Sequence, residues 1–358
     1  MCALPRSVRL VAWFTAVLVL VGSIACNGGG GSNGTVSLQG AGASFPSPLY
    51  QKWLSEYGNL HPNMRIDYQS IGSGGGIKQL KEQTVDFGAS DAPLKDEDMK
   101  SFSGEVVHIP TVLGAVVITY NLAGLSNSLR FSSDVIVDIY LGKIKKWNDA
   151  RIAADNPGVT LPANDIVVVH RSDGSGTSAV FTDFLAKISP EWKEKVGAGV
   201  APSWPIGIGG KGNEGVTGQV KNTPNTIGYV ELVYAVQNKL PVAHVKNQSG
   251  SFIEPTVDAV TAAADAFAAS TPDDLRVSIT NAPGAQSYPI SSYTYILVYK
   301  DQKDAAKGKA LVDFLWWGIH DGERYAKELQ YAPLPADIVK RAEGKIKTIT
   351  HGGSPLRS

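Results

Sequence analysis

The chain has 358 residues, 43% hydrophobic and 18% charged, and its 33 basic side chains balance 33 acidic ones. That is ordinary for a globular protein and long enough for two domains. No basic stripe or arginine-rich tail is present, which argues against a nucleic-acid partner, and two cysteines, Cys2 and Cys26, offer no disulfide framework.

The N-terminus reads as a secretory signal over residues 1–25. Arg6 and Arg9 form a basic n-region, Leu10 to Ile24 is an apolar stretch of 15 residues, and small residues stand at Ser23 and Ala25. The stretch is short for a membrane span and is set apart from the fold. Without Arg6 and Arg9, 31 basic residues face 33 acidic ones, a net charge near −2. The run Ser23-Ile-Ala-Cys26 resembles a bacterial lipoprotein signal, in which the cysteine is lipidated and becomes the new N-terminus. Ser23 stands where that signal usually has an aliphatic residue, so ordinary cleavage leaving a thiol at Cys26 is the alternative. Residues 26–34 are rich in Gly and Ser and read as a flexible tether.

Beyond the tether, Thr35 to Leu38 reads as a short strand and Gly40-Ala-Gly-Ala-Ser-Phe45 as a tight loop. Pro46 and Pro48 suit the first turn of a helix in which Leu49, Tyr50, Trp53, Leu54 and Tyr57 share an apolar face. Met64 to Tyr68 alternates like a strand, Gly72-Ser-Gly-Gly-Gly76 forms a second loop, and Ile77 to Gln83 is helical. Val85 to Asp91 is a strand that ends in a polar turn at Asp91 and Pro93. Val112 to Tyr120 and Ile166 to Val169 are buried strands, Ser133 to Leu141 and Thr182 to Ile188 are helical, and Asn225 to Val230 is a further strand. Tyr293 to Tyr299 is β-rich and Ala310 to Ile319 is a mostly apolar helix. Strands and helices alternate throughout, which places the chain in the α/β class.

The segment Arg171-Ser-Asp-Gly-Ser-Gly-Thr-Ser178 packs an arginine, a carboxylate, four hydroxyls and two glycines into eight residues. Like Gly40–Phe45 and Gly72–Gly76, it joins a strand to a helix. Such a loop offers unpaired N–H groups at the positive end of a helix dipole, a natural seat for an oxyanion. Each loop taken alone also fits a tight turn with a serine N-cap. Together, three such ends could converge on one anion.

The charges refine that expectation. Arg171 is the one basic residue of these loops, and Asp173 can hold its guanidinium fork in place. Asp91 needs another role. An ionised carboxylate accepts hydrogen bonds and cannot donate, so it fits a ligand that carries a proton, as phosphate does near neutral pH. A fully ionised sulfate would leave two acceptors facing each other. Sites built around a ligand donor reject analogues lacking it by roughly 10⁴–10⁵-fold.

Gly40-Ala-Gly-Ala-Ser-Phe-Pro46, Ile71-Gly-Ser-Gly-Gly-Gly76, Val85-Asp-Phe-Gly-Ala-Ser-Asp-Ala-Pro93, Ile139-Tyr-Leu-Gly-Lys-Ile-Lys-Lys-Trp147, Asp173-Gly-Ser-Gly-Thr177 and Trp204-Pro-Ile-Gly-Ile-Gly-Gly-Lys-Gly-Asn213 resemble the periplasmic phosphate-binding proteins of bacterial high-affinity phosphate ABC transporters. The resemblance runs from about Leu38 to about Leu334. It implies a two-lobed periplasmic binding protein fold of type II with two hinge crossings, near Pro110–Leu113 and Tyr288–Ser292. One lobe would comprise residues 35–112 and 289–358, and the other 113–288. It implies phosphate binding by Ser44, the backbone N–H of Phe45, Ser73, Asp91, Arg171 steadied by Asp173, Ser175, Gly176 and Thr177. The family often has Thr at the position of Ser44, and the hydroxyl is kept. The expected protein is a non-enzymatic monomer without cofactor or metal. It would stand in the periplasm or on the outer face of the cytoplasmic membrane, delivering inorganic phosphate to an ABC-type permease.

Other motifs carry less. Gly207-Ile-Gly-Gly-Lys-Gly212 fits a dinucleotide-binding pattern, with the acidic Glu231 about 20 residues on, but Pro202, Trp204 and Pro205 precede it where a strand is needed, so it reads as a structural turn. His170 reads as a strand-end histidine, Trp316 and Trp317 as core, and Lys143, Lys145 and Lys146 as a solvated face. The rival from another class is a secreted phosphatase or Ser hydrolase with Ser175 as nucleophile. Asp173-Gly-Ser-Gly-Thr177 lacks the G-x-S-x-G elbow that such chemistry uses. A surface adhesin or sensor on the same fold is a third reading.

Overall fold

A computed structural model describes residues 35–125 and 128–358; the signal, the tether and Cys26 lie outside the described residues. In chain order the elements are β1 (Val36–Gly42), α1 (Ser47–Leu60), β2 (Met64–Ser70), α2 (Ser73–Lys81), β3 (Phe87–Ser90), α3 (Asp96–Met99) and β4 (Val106–Asn121). There follow β5 (Arg130–Phe131), α4 (Ser133–Tyr140), α5 (Ala150–Asp155), β6 (Val167–Arg171), α6 (Gly176–Ile188), α7 (Pro190–Lys195), β7 (Ile208–Gly210), α8 (Gly212–Asn222), β8 (Thr226–Glu231) and α9 (Leu232–Gln237). The chain ends with β9 (His244–Lys246), β10 (Phe252–Ile253), α10 (Val257–Asp265), β11 (Ser291–Tyr299), α11 (Ala305–Gly318), α12 (Ala336–Lys347), β12 (Thr350–His351) and β13 (Ser354–Pro355).

Eight strands form one mixed sheet in the order β2-β1-β3-β11-β4-β8-β6-β7. Its pairing divides at β4. Val106 to Ala115 pairs with β11, whereas Val116 to Asn121 pairs with β8. Strands β1, β2 and β3 are mutually parallel on one side, and β6, β7 and β8 on the other. Both β3 and β4 run antiparallel to β11, so β3 and β4 share a direction, while β8 opposes β4. The C-terminal ends of both parallel sets therefore point toward the place where β4 changes partners. Ligands of open α/β sheets bind at such strand ends.

The long run of β4 rests on an irregularity. Register shifts between Thr294 and Tyr295, which face Val112 and Pro110, leaving Thr111 outside the ladder. A bulge is where a central strand tolerates proline. The Thr111 hydroxyl shares a 2.7 Å hydrogen bond with the Tyr50 hydroxyl and lies 3.2 Å from the Thr294 carbonyl it donates to.

Two aromatic clusters brace the half-sheets. Trp53 and Tyr57 of α1 pack on Phe314 and Trp317 of α11, with centroids 5.2 to 6.4 Å apart. Tyr140, Phe181, Trp204 and Tyr229 form the second. Trp317 is buried as expected, and Trp316 lies partly buried under the Arg357 guanidinium, 4.0 Å from its ring centroid. His170 stacks on Trp204, a structural role. Lys143 and Lys146 form ion pairs with Asp138, Glu191 and Asp165 on an exposed surface.

Candidate functional site

Each of the three glycine-rich segments spans a strand-to-helix junction and is less of a loop than its composition suggests: Gly40–Phe45 takes in the end of β1 and leads to α1, Gly72–Gly76 is the N-cap and first turn of α2, and Arg171–Thr177 runs from the last residue of β6 into α6. They lie at the C-terminal ends of β1, β2 and β6, so the sheet topology carries them toward the β4 handover. There they touch. Gly176 N donates to Ser73 Oγ at 3.0 Å, and Gly74 N to Gly174 O at 2.9 Å. A Cβ on Gly176 would stand 2.4 Å from both Asp91 Oδ2 and Ser73 Oγ. Only glycine lets Asp91, Ser73 and the α6 N-terminus meet this closely.

Arg171 ends β6 and is 3% exposed. Its Nε and Nη2 donate to the two oxygens of Asp173, at 2.8 and 2.6 Å, in the bidentate geometry that suits a guanidinium. Gly212 N also donates to Asp173 Oδ1. Burial works to raise the Asp173 pKa, but the Arg171 hydrogen bonds and charge outweigh it and hold the carboxylate below its ordinary value. Arg171 Nη1 reaches Thr177 Oγ1 at 3.3 Å.

Asp91 follows β3 and is 1% exposed. Thr294 Oγ1 of β11 donates to its Oδ1 at 2.8 Å, while Oδ2 has no hydrogen-bond partner among the described residues. Burial pushes its pKa from 3.8 up to about 7, against the opposing pull of the Thr294 bond and the Arg171 charge. An orphaned buried carboxylate oxygen is costly, and it faces the loops just described.

The first loop is held by its carbonyls. Tyr234 donates to Ser44 O and Tyr331 to Phe45 O, both at 2.6 Å. Because a trans peptide sets C=O and N–H on opposite sides, anchoring the Ser44 carbonyl also aims the Phe45 N–H. Ser175 caps α6, its Oγ accepting from Ser178 N at 3.0 Å. Thus Ser73, Asp91, Arg171, Ser175, Gly176 and Thr177 come together in one buried cluster with the partly buried Asp173 at its edge, and Ser44, with Phe45 beside it, joins them through the Asn213 amide, whose Nδ2 donates to both Ser44 Oγ and Thr177 Oγ1.

The sequence assigns no site role to Asn213, Glu231 or Thr294. Asn213 is buried in the first turn of α8, which follows a short strand, β7, lying inside the Gly207–Gly212 motif. That strand corrects the expectation of a turn without one: the motif is a fourth strand-to-helix junction beside the other three. Glu231 is fully buried at the end of β8 and caps α9 through Val233 N; burial raises its pKa well above the carboxylate range. Its spacing after Gly207 was visible in sequence, but under a nucleotide-binding motif that led elsewhere.

Residues 29–316 match the family model for the PBP superfamily domain. Over 310 residues the chain is 45% identical to the phosphate-binding protein PstS of Xylella fastidiosa strain 9a5c, covering 86% of this chain and 84% of that one. Identity to the PstS of Pasteurella multocida is 43% over 313 residues, covering 87% and 90%. The chain belongs to the PstS family of phosphate-binding proteins, within the PBP superfamily. In fold, it is similar to the structure of a high-affinity periplasmic phosphate-binding protein bound with phosphate, with a TM-score of 0.69 at 22% identity over 86% of this chain and 93% of that one. The mixed α/β architecture is thus that of the family. Among the described residues no group of His, Cys, Asp and Glu is arranged to hold a metal ion, and no helix is long and apolar enough to cross a membrane.

Proposed function

We propose that the protein is an extracytoplasmic phosphate-binding protein that captures inorganic phosphate and delivers it to an ABC-type permease. It is a binding protein and not an enzyme, in keeping with its family. The observation that carries the ligand is the pairing of one fixed cation with one buried acceptor: Arg171 is locked by Asp173, and Asp91 keeps an oxygen without a partner. Ser44, Ser73, Ser175 and Thr177, with the N–H group of Phe45, supply donors to the oxyanion, while the Gly176 N–H is given to Ser73 Oγ and orients that hydroxyl. Asp91 accepts the proton that phosphate retains. The division into one lobe of residues 35–112 and 289–358 and another of 113–288 fits the exchange of partners along β4, and the lobes close on the ligand about it. We further propose that it works as a monomer, held near the membrane through a lipidated Cys26.

A thermal-shift series tests this reading. Phosphate raises the melting temperature, because a ligand that binds only the folded state stabilises it, while sulfate leaves it unchanged and arsenate, a protonated tetrahedral anion, shifts it. Equal shifts with sulfate would defeat the Asp91 reading. The phosphatase alternative predicts turnover of a phosphate monoester that vanishes in Ser175→Ala. Against it, Ser175 Oγ is engaged as a helix cap, and no histidine is among its hydrogen-bond partners in the described residues.

A further inference from the structure

Four N–H donors crowd two hydroxyls in this site. Ser44 Oγ accepts from Asn213 N at 3.1 Å and from Asn213 Nδ2 at 2.9 Å. Thr177 Oγ1 accepts from Asn213 Nδ2 at 3.1 Å and from Arg171 Nη1 at 3.3 Å. A hydroxyl has two lone pairs and one proton. With both lone pairs occupied, the role left to each oxygen is to donate. The orientation of the amide is not arbitrary: Asn213 Oδ1 accepts from Glu231 N at 3.0 Å, and a backbone N–H can only donate. The Nδ2 group must therefore face the two hydroxyls.

We infer that Asn213 is a positioning residue that fixes Ser44 and Thr177 as hydrogen-bond donors to the ligand, an inference that rests on the phosphate reading of the site. A serine or threonine free to rotate can present either a proton or a lone pair to an oxyanion, and the second repels it. Asn213 removes that choice for two hydroxyls at once. Ser44 belongs to the loop after β1 and Thr177 to α6, so one side chain sets the polarity of groups from both half-sheets. Through Glu231 N it is also tied to the pair Val116–Glu231, where β4 begins its pairing with β8. The donor arrangement is accordingly complete only when the loops of the two half-sheets are in contact. Asn213 is fully buried, and both its amide protons and its carbonyl oxygen are used within the protein.

A double-mutant cycle on phosphate affinity, read by calorimetry, tests this. Asn213→Ala is expected to weaken phosphate binding by about tenfold or more in the unaltered protein, as the loss of enforced donors implies. In a Ser44→Ala, Thr177→Val background the same change should cost no more than about twofold, because the hydroxyls through which it acts are gone. Equal losses in both backgrounds would overturn the inference and leave the phosphate reading standing; unaltered protein that takes up no phosphate would overturn both. If Asn213→Ala does not fold, as judged by melting without ligand, phosphorus-detected NMR of the unaltered protein with inorganic phosphate decides. The Ser44 and Thr177 hydroxyl protons should couple to the phosphorus nucleus, and their failure to do so while phosphate is bound would refute the assignment.

Discussion

The two acidic corners of the site are built in opposite ways. Asp173 has both oxygens engaged, by the Arg171 fork and by Gly212 N, and stays ionised below its ordinary pKa. Asp91, fully buried, has one oxygen satisfied by Thr294 and one left over, and its pKa rises to about 7. The same side chain thus serves two ends. At Asp173 it neutralises and orients a cation, and its charge is spent inside the protein. At Asp91 it is withheld from protein partners and kept for the ligand. A site that merely attracted anions would need the first carboxylate and would be harmed by the second.

Changes at each corner should break this contrast in different ways. The largest effect is expected from Arg171→Ala, which removes the cation and leaves the partly buried Asp173 without its partner; phosphate affinity should fall about 10³-fold in calorimetry. Next is a pH effect. In the folded protein the Asp91 carboxyl keeps its proton up to about 7, whereas the unfolded chain releases it near 3.8. Its contribution to stability is therefore fully present below 3.8 and lost as pH rises through about 7. The ligand-free protein should lose on the order of a few kcal/mol over this range by this term. Glu231 and Glu323, also raised by burial, act in the same sense. The difference between wild type and Asp91→Asn in chemical denaturation across pH isolates the Asp91 share, and a profile for Asp91→Asn as steep as that of the wild type would count against it.

A smaller change in binding should follow from Asp91→Asn at pH 8, where the wild-type carboxylate is ionised. The amide offers a donor in place of an acceptor, so the preference for phosphate over sulfate should shrink by about 10²-fold. Asp173→Asn should do least. It loosens the Arg171 fork and costs about tenfold in phosphate affinity without altering the rejection of sulfate, because the fork is lost while the cation and Asp91 remain. Selectivity that moved with Asp173 and not with Asp91 would invert the assignment of the two corners.

How much of this was legible in the sequence follows from where the information sits. The three loops could be found because glycine, serine and helix-initiating patterns are local signals, and Asp91 stood out as a carboxylate where an anion was expected. The sequence pattern marks strand β4 only from Val112, since Pro110 speaks against a central strand; what admits it is a bulge opposite Thr294, a tertiary fact. Short helices such as α5, α7 and α9 have too few turns to show a period. Thr294 looks like any strand threonine until β11 is placed beside β3. Asn213 closes the Trp204–Asn213 motif, yet its partners lie 169 and 36 residues away, at Ser44 and Thr177. No spacing rule reaches them.

The central claim is that Asp91 makes the site read a proton on its ligand. Titration of the wild-type protein by calorimetry at pH 8, with phosphate and then with sulfate, tests it most directly. The account predicts one phosphate bound per chain and sulfate binding weaker by at least about 10³-fold. Sulfate bound with an affinity comparable to that of phosphate would contradict it.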